Sequence, residues 1–326
     1  MVALTHISVS RNRKLPMMLL GTLLVLTLPI AARADACKVP PPISSIDPPG
    51  FYDDSGGYSG AIRPLHAFIG KVNEAADSGD KACLMELLDS WARANALMAP
   101  IKGYQGYYER SWAGTDFALA LLSFFPQSKK NAPAIPSTIT KWLVDMAVAT
   151  RDANAINRLH NNLVYWAGLD LAATGTLTKR PDLIDAGIAR AREGISDIQP
   201  NGTLARELKR GDRALHYHNF ALIPLVFTAE LAQARGVDLY SENNGAIRRL
   251  ANLVINAVIN QNSFSAYTST PQHLFPWSFA GDLAWMEPYQ ARFHDPRLAA
   301  LIARRRPFIN PRLGGNVTVA WSRHHD

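Results

Sequence analysis

Glu207-Leu208-Lys209-Arg210-Gly211-Asp212-Arg213-Ala214-Leu215-His216-Tyr217-His218-Asn219-Phe220-Ala221-Leu222 crowds two arginines, two histidines, a tyrosine and an asparagine together, then runs apolar from Ile223 to Ala229. An apolar continuation without strand-like alternation predicts the first half of a buried helix. Asp212, just ahead of it, is the expected N-cap. Arg213 and Tyr217 are four residues apart and share a helical face, with Arg210 near the helix entrance. Guanidinium groups stabilise a phenolate, so the Tyr217 pKa is expected to fall from about 10. Such a phenol is a usable proton-transfer group near neutral pH. A core tyrosine with a hydrogen bond is the plainer reading of any one such residue. The density of polar groups against an apolar run favours a site.

Outward from this stretch the periodicity stays helical. Helices are predicted over Pro64 to Ala76, Ala82 to Ala99, Thr115 to Phe125 and Pro136 to about Thr150. Others follow over Asn157 to Ala173, up to Ile195, to Ala234, Asn244 to Val258, Leu283 to Phe293 and Ala299 to Arg305. Loops are expected around Lys102, Tyr104, Tyr107, Tyr108 and Arg110, over the polar connector 127–134, and around Tyr267, His273, Trp277 and Phe279. A weak repeat of apolar helix, short loop and amphipathic helix is marked by Leu183, Leu239 and Leu298, roughly 55 to 60 residues apart. Helical hairpins in series, with polar groups at the start of each buried helix, predict an all-α incomplete α/α toroid with a cleft at one end. No strand pattern competes.

Residues 1–34 carry a basic start (Arg11, Arg13, Lys14), an apolar stretch from Leu15 to Ile30 and the small-x-small site Ala32-Arg33-Ala34, which read as a cleavable export signal. A periplasmic protein is expected, without membrane insertion after signal removal. Residues 35–60, rich in Pro, Gly, Ser and Asp, read as an irregular arm whose Tyr52 and Tyr58 either reach over a cleft or pack the arm down. Residues 61–326 read as the single toroid domain. The net charge of +7 drops to +3 without the signal, because four basic residues leave with it. So mild an excess in an exported protein argues against nucleic acid and leaves room for a local basic cleft. Cys37 and Cys83 most simply form a disulfide between arm and helix; lipidation of Cys37 is the alternative.

Asn162, Tyr165 and Trp166 share a helical face. Asn161 and Asn162 are either helix caps or amides that hydrogen-bond a substrate carboxylate, with Tyr165 and Trp166 as a sugar-stacking pair. Trp285, Glu287 and Tyr289 form a third polar-aromatic group, and Arg312-Leu313-Gly314-Gly315 a fourth that by itself reads as a turn. His216 and His218 are two apart and point in different directions on a helix, so no metal site and no cofactor are expected. No Gly-x-Ser-x-Gly elbow supports a serine hydrolase.

Asn161-Asn162-x-x-Tyr165-Trp166, the run from Glu207 to Leu222, Trp285-Met286-Glu287-Pro288-Tyr289, and Pro307-Phe308 with Arg312-Leu313-Gly314-Gly315 together resemble the periplasmic alginate lyases of polysaccharide lyase family 5. The resemblance spans roughly residues 80 to 322 and implies metal-independent β-elimination of a 1,4-linked polyuronate. It makes Asn162 the carboxylate neutraliser, Tyr217 the base and acid, and Arg210 the cation that holds both phenol and carboxylate. Asn161, Tyr165, Trp166, Arg213, His218, Trp285, Glu287, Tyr289 and Arg312 then belong to substrate binding. The family histidine after Asn-Asn is Leu163 here, and the family's lysine-bearing N-terminal segment has no clear match. His216 is expected to take over part of the lost role; an inactive or retuned site is the other reading. Alginate or glucuronan is the expected substrate. A non-catalytic binder of acidic polysaccharide, or a part of an exopolysaccharide secretion complex, is the alternative. A hydrolase using Glu207 or Glu287 is a third reading.

Overall fold

The computed structural model describes residues 37–124, 134–272 and 280–320. The export signal of residues 1–34, most of the connector 127–134, and His273, Trp277 and Phe279 lie outside the described residues. Helices pair into hairpins: α1 (Ser55–Ser78) with α2 (Lys81–Arg93), and α3 (Tyr104–Phe124) with α4 (Ser137–Arg151). After a short α5 (Asn154–Asn157) come α6 (Asn162–Thr178) with α7 (Pro181–Asp197). After a short α8 (Ala205–Leu208) come α9 (Ala214–Gln233) with α10 (Glu242–Ile259), then α11 (Met286–Phe293) with α12 (Pro296–Arg305). The first members pack in sequence, α1 on α3, α3 on α6, α6 on α9 and α9 on α11. This is the incomplete α/α toroid that the repeat predicts.

The two layers follow from side-chain patterning. Every residue from Val164 to Gly175 and from Ala221 to Ala229 is buried, so α6 and α9 are enclosed on all sides. α7 instead buries one stripe, Leu183, Ile184, Gly187, Ile188, Ala191, Gly194 and Ile195, together with Arg190, and leaves its other residues more exposed. α6 and α7 approach so closely that a Cβ on Gly187 would lie 2.5 Å from the Gly168 carbonyl. Leu183, Leu239 and Leu298 are fully buried, each where the chain turns from an inner to an outer helix, which is the physical content of the repeat.

Several boundaries differ from the sequence reading. α1 starts at Ser55, inside the expected irregular arm: Asp54 caps it by accepting from the Gly57 N–H at 2.8 Å, and Pro64 sits within it. Pro64 and the run of glycines before it conceal a helix that packing imposes. The expected loop around Tyr104 to Arg110 forms the first turns of α3, and α2 ends at Arg93. Asp212 is not an N-cap. Gly211–Arg213 is a 3-10 turn, and Arg213 takes the cap position of α9 without a side-chain cap bond. A two-residue antiparallel pair, β1 (Ile309–Asn310) with β2 (Gly315–Asn316), also forms where no strand was expected.

Cys37 and Cys83 are bonded, with 5.3 Å between their Cα atoms. The arm is further held by Trp91 Nε1, which donates to the Pro40 carbonyl at 2.9 Å. Asp47 also accepts from the Gly103 N–H at 2.7 Å. Closing a 46-residue separation should stabilise the fold by up to about 4 kcal/mol on a chain-entropy estimate. Cys37→Ser should therefore lower the urea midpoint, and reductant should lower the parent midpoint but not that of the variant. Equal midpoints would show that the polar anchors alone hold the arm.

Candidate active site

The starts of α6 and α9 meet through a single carboxylate. Glu207 on α8 is 1% exposed. Its Oε1 accepts from Asn162 Nδ2 at 2.7 Å and from the Asn162 N–H at 3.3 Å. Its Oε2 accepts from Arg210 Nε at 3.4 Å. The Arg210 guanidinium lies 4.5 Å from the centre of the Tyr217 ring. Asn162, Glu207, Arg210 and Tyr217 thus form one chain of contacts, and Asn162 Oδ1, buried, has no hydrogen-bond partner. Asn161 caps α6 by accepting from the Leu163 N–H at 3.0 Å.

The arm completes the cluster. The Tyr52 and Tyr217 hydroxyls are 2.7 Å apart, and the Arg213 guanidinium stands 4.2 Å over the Tyr52 ring. Tyr58, also in the former arm, donates to Glu109 at 2.8 Å and is packed down. Tyr52 is 53% exposed, so it covers Tyr217 from the solvent side.

Arg312 closes the other flank. Its guanidinium lies 4.4 Å from the Trp112 ring and 5.8 Å from Phe220. His216 stacks on Phe220 at 6.1 Å and meets Tyr217 edge-on at 5.1 Å. The turn that carries Arg312 is pinned from both sides. Asn310 Oδ1 accepts from the Arg312 N–H at 2.9 Å, and Asp116 on α3 accepts from the Gly314 N–H at 2.8 Å. Gly314 has φ +79°, and a Cβ there would lie 2.6 Å from Ala120 N, so only glycine lets the turn approach α3 this closely. What reads in sequence as an unspecific Gly-Gly turn is the mount of an arginine.

Other expected substrate contacts prove to be core. Trp166 has no exposed surface and donates to the Phe220 carbonyl at 3.1 Å. Tyr165 is buried and donates to Asp197 at 2.8 Å. His218 is fully buried: Nδ1–H donates to the Ala214 carbonyl at 2.7 Å, and Nε2 accepts from the Leu204 N–H at 2.9 Å. Trp285 is buried and donates to Asn219 Oδ1 at 2.8 Å. Glu287 is buried and pairs with Arg306 at 2.6 Å, and Tyr289 packs among Trp285, Tyr240 and Phe293. Helical spacing places residues on a common face but does not say whether that face meets a groove or a neighbouring helix. Trp112 and Phe220, the rings beside Arg312, were not singled out in sequence; they carry only a weak signal, as aromatics beside polar residues.

The family profile described as alginate lyase matches residues 67–264. A polysaccharide lyase of Stenotrophomonas maltophilia is 36% identical over 319 residues, covering 91% of this chain and 94% of that protein. An alginate lyase of Pseudomonas paraeruginosa is 36% identical, covering 75% and 68%. The chain belongs to the alginate lyase family. It is a polysaccharide lyase. Among solved structures, alginate lyase A1-III from Sphingomonas species A1 superposes with a TM-score of 0.72 at 26% identity, covering 87% of this chain and 86% of that one. Variants of A1-III, one replacing a tyrosine with phenylalanine and one a histidine with alanine, have been solved complexed with tetrasaccharide. No helix of this lyase, among the described residues, is long and apolar enough to cross a membrane.

The electrostatics of this cluster correct one expectation. Burial, then the hydrogen bond to Tyr52, push the Tyr217 phenol above its ordinary value, while Arg210 and Arg213 pull it back only in part. The guanidinium groups do what was expected of them, but desolvation is the larger effect. Burial, aided by Arg312 and Arg213, holds the His216 imidazole down at about 4. Burial likewise holds His218 at about 4. Both are neutral at pH 7.

Because their folded pKa values lie below the unfolded value of about 6.5, the unfolded chain takes up these protons first as pH falls. The stability they confer is whole above about pH 6.5 and is lost on descending towards pH 4. The melting temperature should fall over that window, and His216→Asn should flatten part of the decline. Identical pH slopes in parent and variant would overturn the assignment of a neutral, buried His216.

Proposed function

We propose that this lyase cleaves a 1,4-linked polyuronate of the mannuronan (alginate) or glucuronan type by β-elimination. Tyr217 acts as both base and acid. The observation that carries the reading is the Tyr217 phenol, 4.5 Å below the Arg210 guanidinium and tied through Glu207 to Asn162. The periplasm is the compartment implied by the export signal in residues 1–34, and an exopolysaccharide secretion complex is the partner such a location suggests.

The C5 proton of a uronate is only weakly acidic. Cationic and amide donors around its carboxylate stabilise the enolate-like species formed when that proton leaves. Arg210, Arg213 and Arg312 supply positive charge on three sides of the cluster, and the starts of α6 and α9 turn their positive helix ends towards it. Phenolate removes the proton, the C5 electron pair forms the C4–C5 double bond, and the C4–O4 bond breaks. The phenol then returns a proton to O4. One group serves both steps because C5–H and C4–O lie on the same face of β-D-mannuronate and of β-D-glucuronate. In this reading His216, neutral, stacked on Phe220 and edge-on to Tyr217, donates to the carboxylate in place of the histidine that Leu163 replaces. The Tyr52 hydroxyl, 2.7 Å from the Tyr217 oxygen, favours the neutral phenol at rest, the form that later returns a proton to O4.

Tyr217→Phe should lower the growth of the ultraviolet band of C4–C5 unsaturated uronates by about 10³-fold or more, with polymer binding retained. His216→Ala should lower it by about 10- to 100-fold. A panel of polymannuronate, glucuronan and polyguluronate should give turnover on one of the first two and little on the third. Because phenolate is the reactive form and Tyr217 titrates above its ordinary range, kcat/KM should climb from neutral into alkaline pH. A Tyr217→Phe variant with parent activity would end this reading.

A further inference from the structure

We infer that Gln272, far from the polar clusters in sequence, is a positioning residue for Tyr217. The inference rests on the catalytic role proposed for that phenol. An α-helix leaves its first N–H groups without intrahelical partners, and a side chain at the cap position ordinarily supplies one. Here the cap position of α9 is Arg213, which makes no side-chain cap bond. Gln272 supplies the missing acceptor from outside the helix: its Oε1 accepts from the Leu215 N–H at 2.8 Å.

The same carboxamide grips the other side of the junction. Its Nε2 donates to the Gly211 carbonyl at 3.1 Å and to the Thr270 carbonyl at 2.8 Å. Gly211–Arg213 is the 3-10 turn and Ala214 begins the α-helix. One amide group therefore spans the point where 3-10 winding becomes α, with His216 and Tyr217 directly after it. Gln272 is itself anchored: its carbonyl accepts from Gln261 Nε2 at 2.7 Å, in the 3-10 segment Gln261–Ala266 that follows α10. The exit of an outer helix thus sets the winding of the first turn of an inner one.

That turn decides where the phenol lies. The body of α9 is fixed further along by Asn219, which donates to the Asp282 carbonyl at 2.7 Å and accepts from Trp285 at 2.8 Å. Between that anchor and the 3-10 turn, the 4.5 Å spacing of Arg210 and Tyr217 and the 2.7 Å spacing of Tyr52 and Tyr217 depend on the winding of one turn. Displacement of a reacting group by about 1 Å is enough to slow catalysis by orders of magnitude.

The test compares Gln272→Met, which keeps length but makes none of the three side-chain bonds, with Gln272→Glu, which keeps an acceptor for Leu215 N–H at a helix N-terminus but loses both donations. On the polymer that the parent enzyme turns over, Gln272→Met should lose about tenfold in kcat with KM within about twofold. Gln272→Glu, which keeps only the bond to the Leu215 N–H, should recover part of that loss, with kcat between those of Gln272→Met and the parent. Thermal unfolding separates this from loss of fold, since a merely structural role would move the melting temperature and leave kcat of the folded fraction unchanged. Parent-like kcat in Gln272→Met, or no recovery in Gln272→Glu, overturns the inference. Tyr217→Phe, run alongside, separates the two failures: if it stays active the reading of Tyr217 fails, whereas if it is inactive while Gln272→Met is parent-like only the role of Gln272 fails.

Discussion

A carboxylate buried to 1% exposure cannot stand alone inside a protein, and Glu207 does not. Removing a charge from water carries a penalty that only partners can offset. Its partners here are an amide, a backbone N–H and a guanidinium, and they come from two different parts of the ring: Asn162 opens α6, and Arg210 precedes α9. Satisfying that one acid forces the starts of two inner helices together. Everything polar at this end of the toroid is arranged around that meeting.

The same separation governs the whole chain. The middles of the inner helices are mostly apolar, a few buried polar residues such as Asp116 and Asp170 apart, and pack into an enclosed core, while their polar starts collect at one end. Three arginines gather there: Arg210 faces Glu207, Arg213 lies 3.9 Å from Asp212, and Arg312 acts on Glu109 and Asp282. The aromatic rings of Trp112, Phe220 and Tyr52 give the guanidinium groups of Arg312 and Arg213 flat surfaces to lie on. Tyr217 sits between opposed forces. Burial favours the neutral phenol and the arginines favour the anion, with burial the larger effect.

How much of this was legible in the sequence depends on the range of the interaction. The helices, the inner and outer alternation, the turns at Leu183, Leu239 and Leu298, and the Cys37–Cys83 bond were legible, because each follows from local periodicity or simple pairing. α1 was cut short and the start of α3 was taken for a loop, because Pro64, the glycines before it and the tyrosines of Tyr104 to Tyr108 have weak helical preference that packing overrides. At the site, the run from Glu207 to Tyr217 was readable because the residues that interact are close in sequence. Trp166, His218, Trp285, Glu287 and Tyr289 were read as facing substrate and lie in the core. Polar and aromatic side chains look alike in sequence whether they face a ligand or bond to a neighbouring helix.

By itself the sequence determined that this chain is a ring of helical hairpins, that its polar residues collect at helix starts, and that a tyrosine stands among arginines. These are consequences of spacing along the chain. Only the tertiary structure decided which of those residues meet: Glu207 with Asn162 across 45 positions, Tyr52 with Tyr217 across 165, Gln272 with Leu215 across 57. It also decided the balance of charge on the phenol, because desolvation depends on what covers a group, and what covers Tyr217 comes from a distant part of the chain.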